Sequence, residues 1–373
     1  MSLCDSTDAD QRFMSAAIRL AWRGQGHVEP NPMVGCLIVR DGVVIGEGYH
    51  AKFGGPHAEV AALRSLDSIG DAGGATAYVT LEPCCHFGKT PPCADALVDA
   101  GVGRVVIAMQ DPFEQVAGGG IARLRAAGIE VTVGVLRDEA TAMNAPFIKR
   151  VCEGRPWVIA KWAMTMDGRI ATESGESQWI TGASSRAAVH QLRGRVDAIV
   201  VGMGTVIADD PMLDARPPGA RVASRVVFCR RRLPSADSKL VRTAAGVPLW
   251  LVAGPDVDPG NLRQLASLGA NVIPVSTSDG AGMAQQATEV LAKNGATNVM
   301  LEGGGELLSS FFTANQVDEC HVYIGAKAFG GATAPGPIGG VGVASLDQAW
   351  PFELRELDRF DDDVRLIYRR SAD

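Results

Sequence analysis

At 373 residues the chain is longer than one hydrophobic core usually organises, so about two domains are expected. Its 46% hydrophobic and 21% charged residues suit a globular α/β protein and exclude a disordered or fibrous one. A formal net charge of −7 leaves no footprint for a long nucleic acid, and no run approaches about 18 uncharged apolar residues, so the expected partner is a small molecule rather than nucleic acid or membrane.

The start, Met1 to Asp8, is polar and acidic where a secretory signal would be basic and then apolar, so a cytoplasmic location is expected. Residues 11–24 read as a helix. Val34–Arg40 and Val43–Glu47 read as a strand pair turning at Asp41-Gly42, and His57–Leu66 as a helix led in by Pro56. Ala75–Leu81 is the next strand. After a cysteine-rich segment, Ala94–Ala100 reads as a helix stopped by Gly101 and Arg104–Met109 as a β-branched strand. A helix reaching Ala127 and a strand over Ile129–Val133 complete a first unit. The boundary is expected near Glu153-Gly154-Arg155-Pro156, giving domains of residues 1–153 and 154–373, because a buried strand, Trp157–Trp162, starts straight afterwards. Ala198–Val201, Arg225–Phe228, Leu249–Val252, Asn271–Val275, Asn298–Leu301 and Glu319–Ile324 read as further strands. This alternation predicts α/β layers around a largely parallel sheet throughout.

Eight cysteines in a long chain without a secretory signal point to metal ligands or reactive thiols rather than a disulfide framework. Three cluster in Glu82-Pro83-Cys84-Cys85-His86-Phe87-Gly88-Lys89-Thr90-Pro91-Pro92-Cys93, and His57-Ala58-Glu59 lies upstream in the expected first turn of a helix. Pro91 and Pro92 favour a helix starting at Cys93, whose N-terminal dipole would help hold a thiolate. One His and two Cys leave a fourth tetrahedral position for water on zinc, which is a hydrolytic arrangement. A Glu that is not a ligand can then shuttle protons to the leaving amine, as in zinc nucleobase deaminases, and Glu59 suits that role. The competing arrangement is a closed structural site on Cys84, Cys85, His86 and Cys93. Adjacent Cys84 and Cys85 would be strained as joint ligands, and that site would leave His57-Ala58-Glu59 without a purpose.

Pro30-Asn31-Pro32-Met33-Val34-Gly35, Gly48-Tyr49-His50, His57-Ala58-Glu59 and the run from Ala77 to Cys93 stand in the order found in the bifunctional riboflavin-biosynthesis deaminase/reductases, a family the chain resembles. Ordinary cytidine and transfer-RNA adenosine deaminases carry Cys-x-x-Cys instead, whereas eight residues separate Cys84 from Cys93 here. The resemblance implies a cytidine-deaminase-like N-terminal domain with His57, Cys84 and Cys93 as zinc ligands, Glu59 as proton shuttle and Cys85 as a bystander. It also implies that Asn31, His50, His86, Lys89 and Thr90 face the substrate. Lys89 in a Gly/Pro loop suits a phosphate and Asn31 a pyrimidine edge, the alternative being solvated loop side chains and turn formers.

In the second half, Lys161-Trp162-Ala163-Met164-Thr165-Met166-Asp167-Gly168-Arg169-Ile170 and Gly175-Glu176-Ser177-Gln178-Trp179-Ile180-Thr181 resemble the reductase signatures of the same family. The stretches from Val201 to Leu213 and from Leu301 to Leu308 follow strand ends, where α/β sheets bind ligands. Gly303, Gly304 and Gly305 ahead of a helix suit a pyrophosphate, although the same glycines would also serve plain tight turns. Gly202-x-Gly204 lacks the third glycine of a Rossmann fingerprint, so a Rossmann domain is not expected. The resemblance implies a dihydrofolate-reductase-like α/β domain binding NADPH at Ala163, Trp179, Thr205, Asp209 and the loop of Gly304, Gly305, Glu306, Leu307, Leu308, Ser309 and Ser310. It implies substrate contacts at Lys161, Ser177, Arg193, Leu213, Arg216 and Glu302, with Arg193 and Arg216 suited to the phosphate. Trp179 is alternatively a core aromatic. Cys229-Arg230-Arg231-Arg232 departs from the family's usual Asp at this turn, and one of these arginines is a candidate for the 2′-phosphate of NADPH.

The implied reactions are hydrolytic deamination of 2,5-diamino-6-ribosylamino-4(3H)-pyrimidinone 5′-phosphate, then NADPH-dependent reduction of the ribosyl group to ribityl, in a homo-oligomer, either dimer or tetramer. The rival reading is a zinc deaminase of another nucleobase with a cofactor-sensing C-terminal domain.

Overall fold

The computed structural model describes residues 7–85, 91–113 and 117–371, which divide into two compact units, Met1–Glu153 and Gly154–Asp373. Among the described residues no helix is long and apolar enough to cross a membrane.

The first unit runs α1 (Asp8–Ala21), β1 (Gly35–Arg40), β2 (Val43–Tyr49), α2 (Ala58–Arg64), β3 (Thr76–Leu81), α3 (Cys93–Asp99), β4 (Arg104–Met109), α4 (Gly119–Ala126), β5 (Glu130–Val133), α5 (Arg137–Met143) and α6 (Ala145–Glu153). Its sheet has the order β2-β1-β3-β4-β5. It is mixed rather than largely parallel: β1 runs antiparallel to both β2 and β3, and only β3, β4 and β5 are mutually parallel. The short Asp41-Gly42 turn, with both residues at positive φ, forces the antiparallel pair. Apolar side chains cover both faces, Met14, Leu37 and Val106 on one and Ile38, Ala62 and Leu97 on the other.

Two close contacts hold the helices that matter for the site. Asp10 caps α1 in a reciprocal box with Thr7 and also accepts from Tyr78 Oη at 2.8 Å and from Arg104 at 2.9 and 3.0 Å, which ties α1 to β3 and β4. Helix α2 lies on β2 at backbone contact: a Cβ on Gly48 would sit 2.2 Å from the Ala62 nitrogen, and one on Gly46 would sit 2.8 Å from the Ala62 oxygen. His57 is the N-cap of α2, one residue outside the helix (φ −73°, ψ 162°), rather than part of its first turn as expected. The extended backbone of a cap aims its side chain away from the helix body. Helices α5 and α6 were not anticipated in the polar, mixed stretch before the boundary. Leu136, at φ 53°, turns the chain sharply into α5.

The second unit runs β6 (Trp157–Thr165), α7 (Ala183–Arg193), β7 (Ala198–Gly202), α8 (Met203–Asp209), β8 (Ser224–Cys229), α9 (Lys239–Arg242), β9 (Leu249–Ala253), α10 (Pro259–Ser267), β10 (Ala270–Pro274), α11 (Gly280–Lys293), β11 (Asn298–Leu301), α12 (Gly305–Thr313), β12 (Glu319–Gly325), β13 (Phe352–Phe360) and β14 (Asp363–Arg370). The nine-stranded sheet has the order β10-β9-β8-β7-β11-β6-β12-β14-β13, parallel from β10 to β12. The β13–β14 hairpin adds an antiparallel edge that the sequence reading missed. Its outer strand is almost wholly exposed and its register shifts between Leu354 and Glu356, so no apolar alternation marks it.

Burial alone would raise the Asp10 pKa, but the Arg104 and Tyr78 hydrogen bonds and the Arg104 charge outweigh it and hold the carboxyl at about 2. Its stabilising contribution is therefore full above the unfolded-state value of 3.8 and is lost as pH falls towards 2. Asp10→Asn is expected to flatten the acid-unfolding curve over that window, read by circular dichroism. Gly48→Ala is expected to push α2 off β2 and destabilise the first unit by about 1–3 kcal/mol, with lowered metal content, in urea unfolding followed by metal analysis.

Candidate functional site

Three expected ligands from separate places in the sequence meet in the first unit. Cys84 follows the end of β3, Cys93 is the first residue of α3, and His57 caps α2. The Cys84 Sγ lies 3.6 Å and the Cys93 Sγ 3.3 Å from His57 Nδ1, and the three ligand atoms all fall within 4.8 Å of one another. A tetrahedral zinc with bonds of about 2.3 Å to sulfur and about 2.0 Å to nitrogen needs N–S separations of roughly 3.5 Å, so the donor set fits the metal in both chemistry and spacing. The hydrogen bond from Cys93 and the neighbouring His57 hold the Cys84 thiol down at about 4, and that same shared proton together with burial pushes Cys93 up. Cys84 also accepts the Cys93 backbone N–H at 3.4 Å, at the start of α3.

Cys85 turns elsewhere. A Cβ on Gly119 would meet its Sγ at 2.6 Å, which puts the thiol against the start of α4. Glu82 shapes the same region: its buried carboxylate accepts from the Asp111, Gly118 and Ile121 amides at 3.3, 3.0 and 3.1 Å. This three-fold acceptor fixes the chain between β4 and α4, a role the sequence reading did not give it.

Glu59, in the first turn of α2, is buried beside the triad, and burial pushes its carboxyl up to about 7. A cation held by the triad would draw it back down. His50 donates from Nδ1 to the Pro56 carbonyl at 2.9 Å, which leaves Nε2 to accept from the Asn31 amide at 3.2 Å. Burial, opposed by the Pro56 bond, keeps the His50 pKa below its usual value, in keeping with a neutral ring. Asn31, His50, His57, Glu59 and Cys84 line one cavity of 490 Å³, an ordinary size for a small-molecule site. Phe147, Arg150 and Val151 of α6 complete its wall; they went unread because α6 itself was not anticipated. His86, Lys89 and Thr90 lie outside the described residues.

The second unit gathers a different set. Glu302, just past β11, accepts from Arg193 of α7 through Nε at 2.8 Å and Nη2 at 2.5 Å, while Arg193 Nη1 donates to the Asp214 carbonyl at 3.2 Å. Burial alone would raise the Glu302 pKa, but Arg193 and Lys161 outweigh it and hold it below the usual range. The Lys161 ammonium lies 5.8 Å from the Tyr323 ring centre, and burial lowers its pKa with Arg193 adding to that and Glu302 opposing. Lys161, Arg193 and Glu302 thus form one half-buried charged cluster. Arg216 stays apart from it, largely exposed and 3.3 Å from Asp214.

Gln178 donates to Asp209 at 2.9 Å, which joins the segment carrying Ser177 and Trp179 to α8, the helix carrying Thr205 and Asp209. Trp179 is 60% exposed with the Arg186 guanidinium over its ring, so it is not a core aromatic. Residues 305–310 are not a loop: Gly304 caps α12, Leu307 and Leu308 are buried in the core, Glu306 is exposed, and Ser309 and Ser310 are half-buried. A Cβ on Gly304 would meet nothing within 4 Å, which leaves an open cradle at an N-terminus of the kind that holds phosphates. β7 and β11 are neighbours, so α8 and α12 begin side by side with Ala163 of β6 on the next strand. Leu213 is buried at φ 54°, with its side chain in the core. Arg230, Arg231 and Arg232 form an exposed turn after β8, where Arg231 comes 3.9 Å from Asp256.

The family model for the cytidine and deoxycytidylate deaminase zinc-binding region matches residues 7–109, and that for the RibD C-terminal domain matches residues 156–366. The riboflavin biosynthesis protein RibD of Actinobacillus pleuropneumoniae is 42% identical over 362 residues, covering 97% of this chain and 96% of that one. RibD of Escherichia coli (strain K12) is 39% identical over 375 residues, covering 96% and 98%. Among solved structures, Acinetobacter baumannii RibD superposes with a TM-score of 0.85 at 38% identity, covering 98% of this chain and 99% of that one. The diaminohydroxyphosphoribosylaminopyrimidine deaminase/5-amino-6-(5-phosphoribosylamino)uracil reductase of Thermotoga maritima does so with a TM-score of 0.83 at 33% identity, covering 97% and 99%.

Cys93→Ala is expected to reduce bound zinc from about one per chain to a trace, while Cys85→Ser leaves it unchanged, by elemental analysis after dialysis. Equal loss in both variants would place Cys85 among the ligands.

Proposed function

The chain belongs to the RibD family of riboflavin biosynthesis, a zinc-binding deaminase joined to a reductase, and on that premise we propose how its own residues divide the two reactions. The first unit hydrolyses the exocyclic amine of 2,5-diamino-6-ribosylamino-4(3H)-pyrimidinone 5′-phosphate, and the second reduces the ribosyl group to ribityl. The observation that carries the first assignment is the convergence of His57, Cys84 and Cys93 beside a buried Glu59 at one cavity.

Zinc bound by that triad supplies a Lewis acid that makes water nucleophilic near neutral pH. Glu59 takes one proton from the attacking water and gives it to the ring nitrogen, then takes the proton left on the new hydroxyl and gives it to the amine, which departs as ammonia as the carbonyl forms. Asn31, with an amide hydrogen committed to His50, presents its carbonyl oxygen to an amino group on the pyrimidine. His50, locked by Pro56 as a neutral ring, holds Asn31 in that pose.

NADPH supplies the hydride of the second reaction. Its pyrophosphate is assigned to the adjoining starts of α8 and α12, where Gly304 is open, and its nicotinamide to the side of Trp179, with Ala163, Thr205 and Asp209 completing the pocket. Lys161 and Glu302 face the ribose. Arg193 has its donors committed to Glu302 and the Asp214 carbonyl, so its part is to orient Glu302, and the substrate phosphate falls to the exposed Arg216. A cytoplasmic, homo-oligomeric enzyme is the form the family resemblance implies.

The test uses wild type, Glu59→Ala and Glu302→Gln, each given the diaminopyrimidinone ribosyl phosphate and, separately, its deaminated product. Glu59→Ala is expected to keep zinc and lose ammonia release by about 10²–10⁴-fold, while oxidising NADPH normally with the deaminated product. Glu302→Gln is expected to show the reverse pattern. Zinc-loaded wild type that releases no ammonia would remove the substrate assignment and leave another nucleobase as the leading alternative.

A further inference from the structure

We propose that Arg150, on the last helix of the first unit, binds the 5′-phosphate of the deaminase substrate. This rests on the deaminase reading above and adds to it the residue that selects a phosphorylated substrate.

Phe147, Arg150 and Val151 stand at i, i+3 and i+4 on α6, so they share one face of that helix, and all three line the 490 Å³ cavity that holds His57, Glu59 and Cys84. The acidic groups in the same wall are already engaged. Glu82 is occupied by three backbone amides, and Asp111 accepts the Phe113 amide at 2.9 Å. Arg150 differs from them: its Nε is shielded from solvent and has no hydrogen-bond partner among the described residues. Its neighbour Lys149 is also buried but does have a partner, so an unmatched cation is not a general feature of α6.

Arg169 and Arg225 also have a shielded Nε without an acceptor, but both spend their terminal nitrogens on protein oxygens, Arg169 on Ala334 and Arg225 on Thr243 and Val247, whereas Arg150 lines the cavity, where its terminal nitrogens can meet a ligand oxygen. The substrate's phosphate offers anionic oxygens spaced for the fork of an arginine. Arg150 is the one arginine or lysine among the described lining residues, so a dianion entering a wall that carries Glu59, Glu82 and Asp111 meets its favourable charge there. In this reading the triad and Glu59 act on the amine-bearing ring, and Arg150 holds the phosphate from the α6 side of the same cavity.

The test compares ammonia release from the 5′-phosphorylated substrate and from its dephosphorylated riboside in wild type, Arg150→Gln and Arg150→Lys. Zinc content and NADPH oxidation with the deaminated phosphate serve as controls for folding. Arg150→Gln is expected to raise KM for the phosphorylated substrate by about 10–100-fold with little change in kcat, and to leave KM for the riboside unaltered. Arg150→Lys is expected to recover part of the loss, and inorganic phosphate to inhibit wild type competitively but Arg150→Gln far more weakly. Equal weakening of both substrates, or no change in either, would overturn the proposal. If wild type releases no ammonia at all, phosphate protection against thermal unfolding still decides the point. Protection lost in Arg150→Gln keeps the anion site while the substrate reading falls, and protection equal in the two proteins removes Arg150 as well.

Discussion

Two helices have to begin at the same point in space for the first unit to hold a metal. His57 sits just ahead of α2 and Cys93 opens α3, with Cys84 delivered between them by the end of β3. Each ligand therefore stands at an element boundary, where side chains leave the backbone in directions that a continuous helix or strand does not offer. The sheet makes the meeting possible. Gly46 and Gly48 let α2 approach β2 backbone to backbone, and Glu82 draws the amides of the β4–α4 connection onto the end of β3. A side chain at either glycine would separate His57 from the thiols before any chemistry began.

Burial then sets the chemical character of what the sheet assembles. Glu59 lies two residues from a ligand in sequence, yet on a different part of the backbone: His57 is in an extended cap and Glu59 is inside the helix. One side chain is free to ligate while the other is enclosed and pushed towards protonation. In the second unit the same low-dielectric logic acts through pairing. Glu302 stays charged because Arg193 clasps it in a bidentate ion pair, and Lys161 shares that enclosed environment. Removing one partner of such a half-buried pair leaves the other charge without its counter-ion in a partly enclosed place, which costs more than it would for an exposed pair.

The parallel part of the second sheet explains how residues far apart in sequence come to one end of it. Strands β6, β7 and β11 lie side by side in the order β7-β11-β6, so the later part of β6 and the segments that follow β7 and β11 come to the same end of the sheet, although they are spread from Lys161 to Gly304 in the sequence. Lys161 and Ala163, Thr205 and Asp209, and Glu302 and Gly304 come together for that reason, and the Gln178–Asp209 hydrogen bond brings Trp179 to the group.

Much of this was legible in the residues. The His57-Ala58-Glu59 and Glu82-to-Cys93 runs pointed to the three donors that the structure brings within 4.8 Å of one another, because zinc chemistry demands particular side chains at particular spacings and leaves them as a local pattern. Buried parallel strands such as Arg104–Met109 and Asn298–Leu301 were marked equally well by their continuous apolar runs. What depended on contacts between distant segments was not legible. The antiparallel pairing of β1 with β3, the exposed β13–β14 hairpin, the engagement of Arg193 by Glu302 and the face that α6 turns to the cavity carry no signature of their own. The sequence by itself determined which chemistry the chain can perform. Only the tertiary structure decided which charges are paired and which, like Arg150, are left facing a cavity, since pairing depends on distances that no local pattern records.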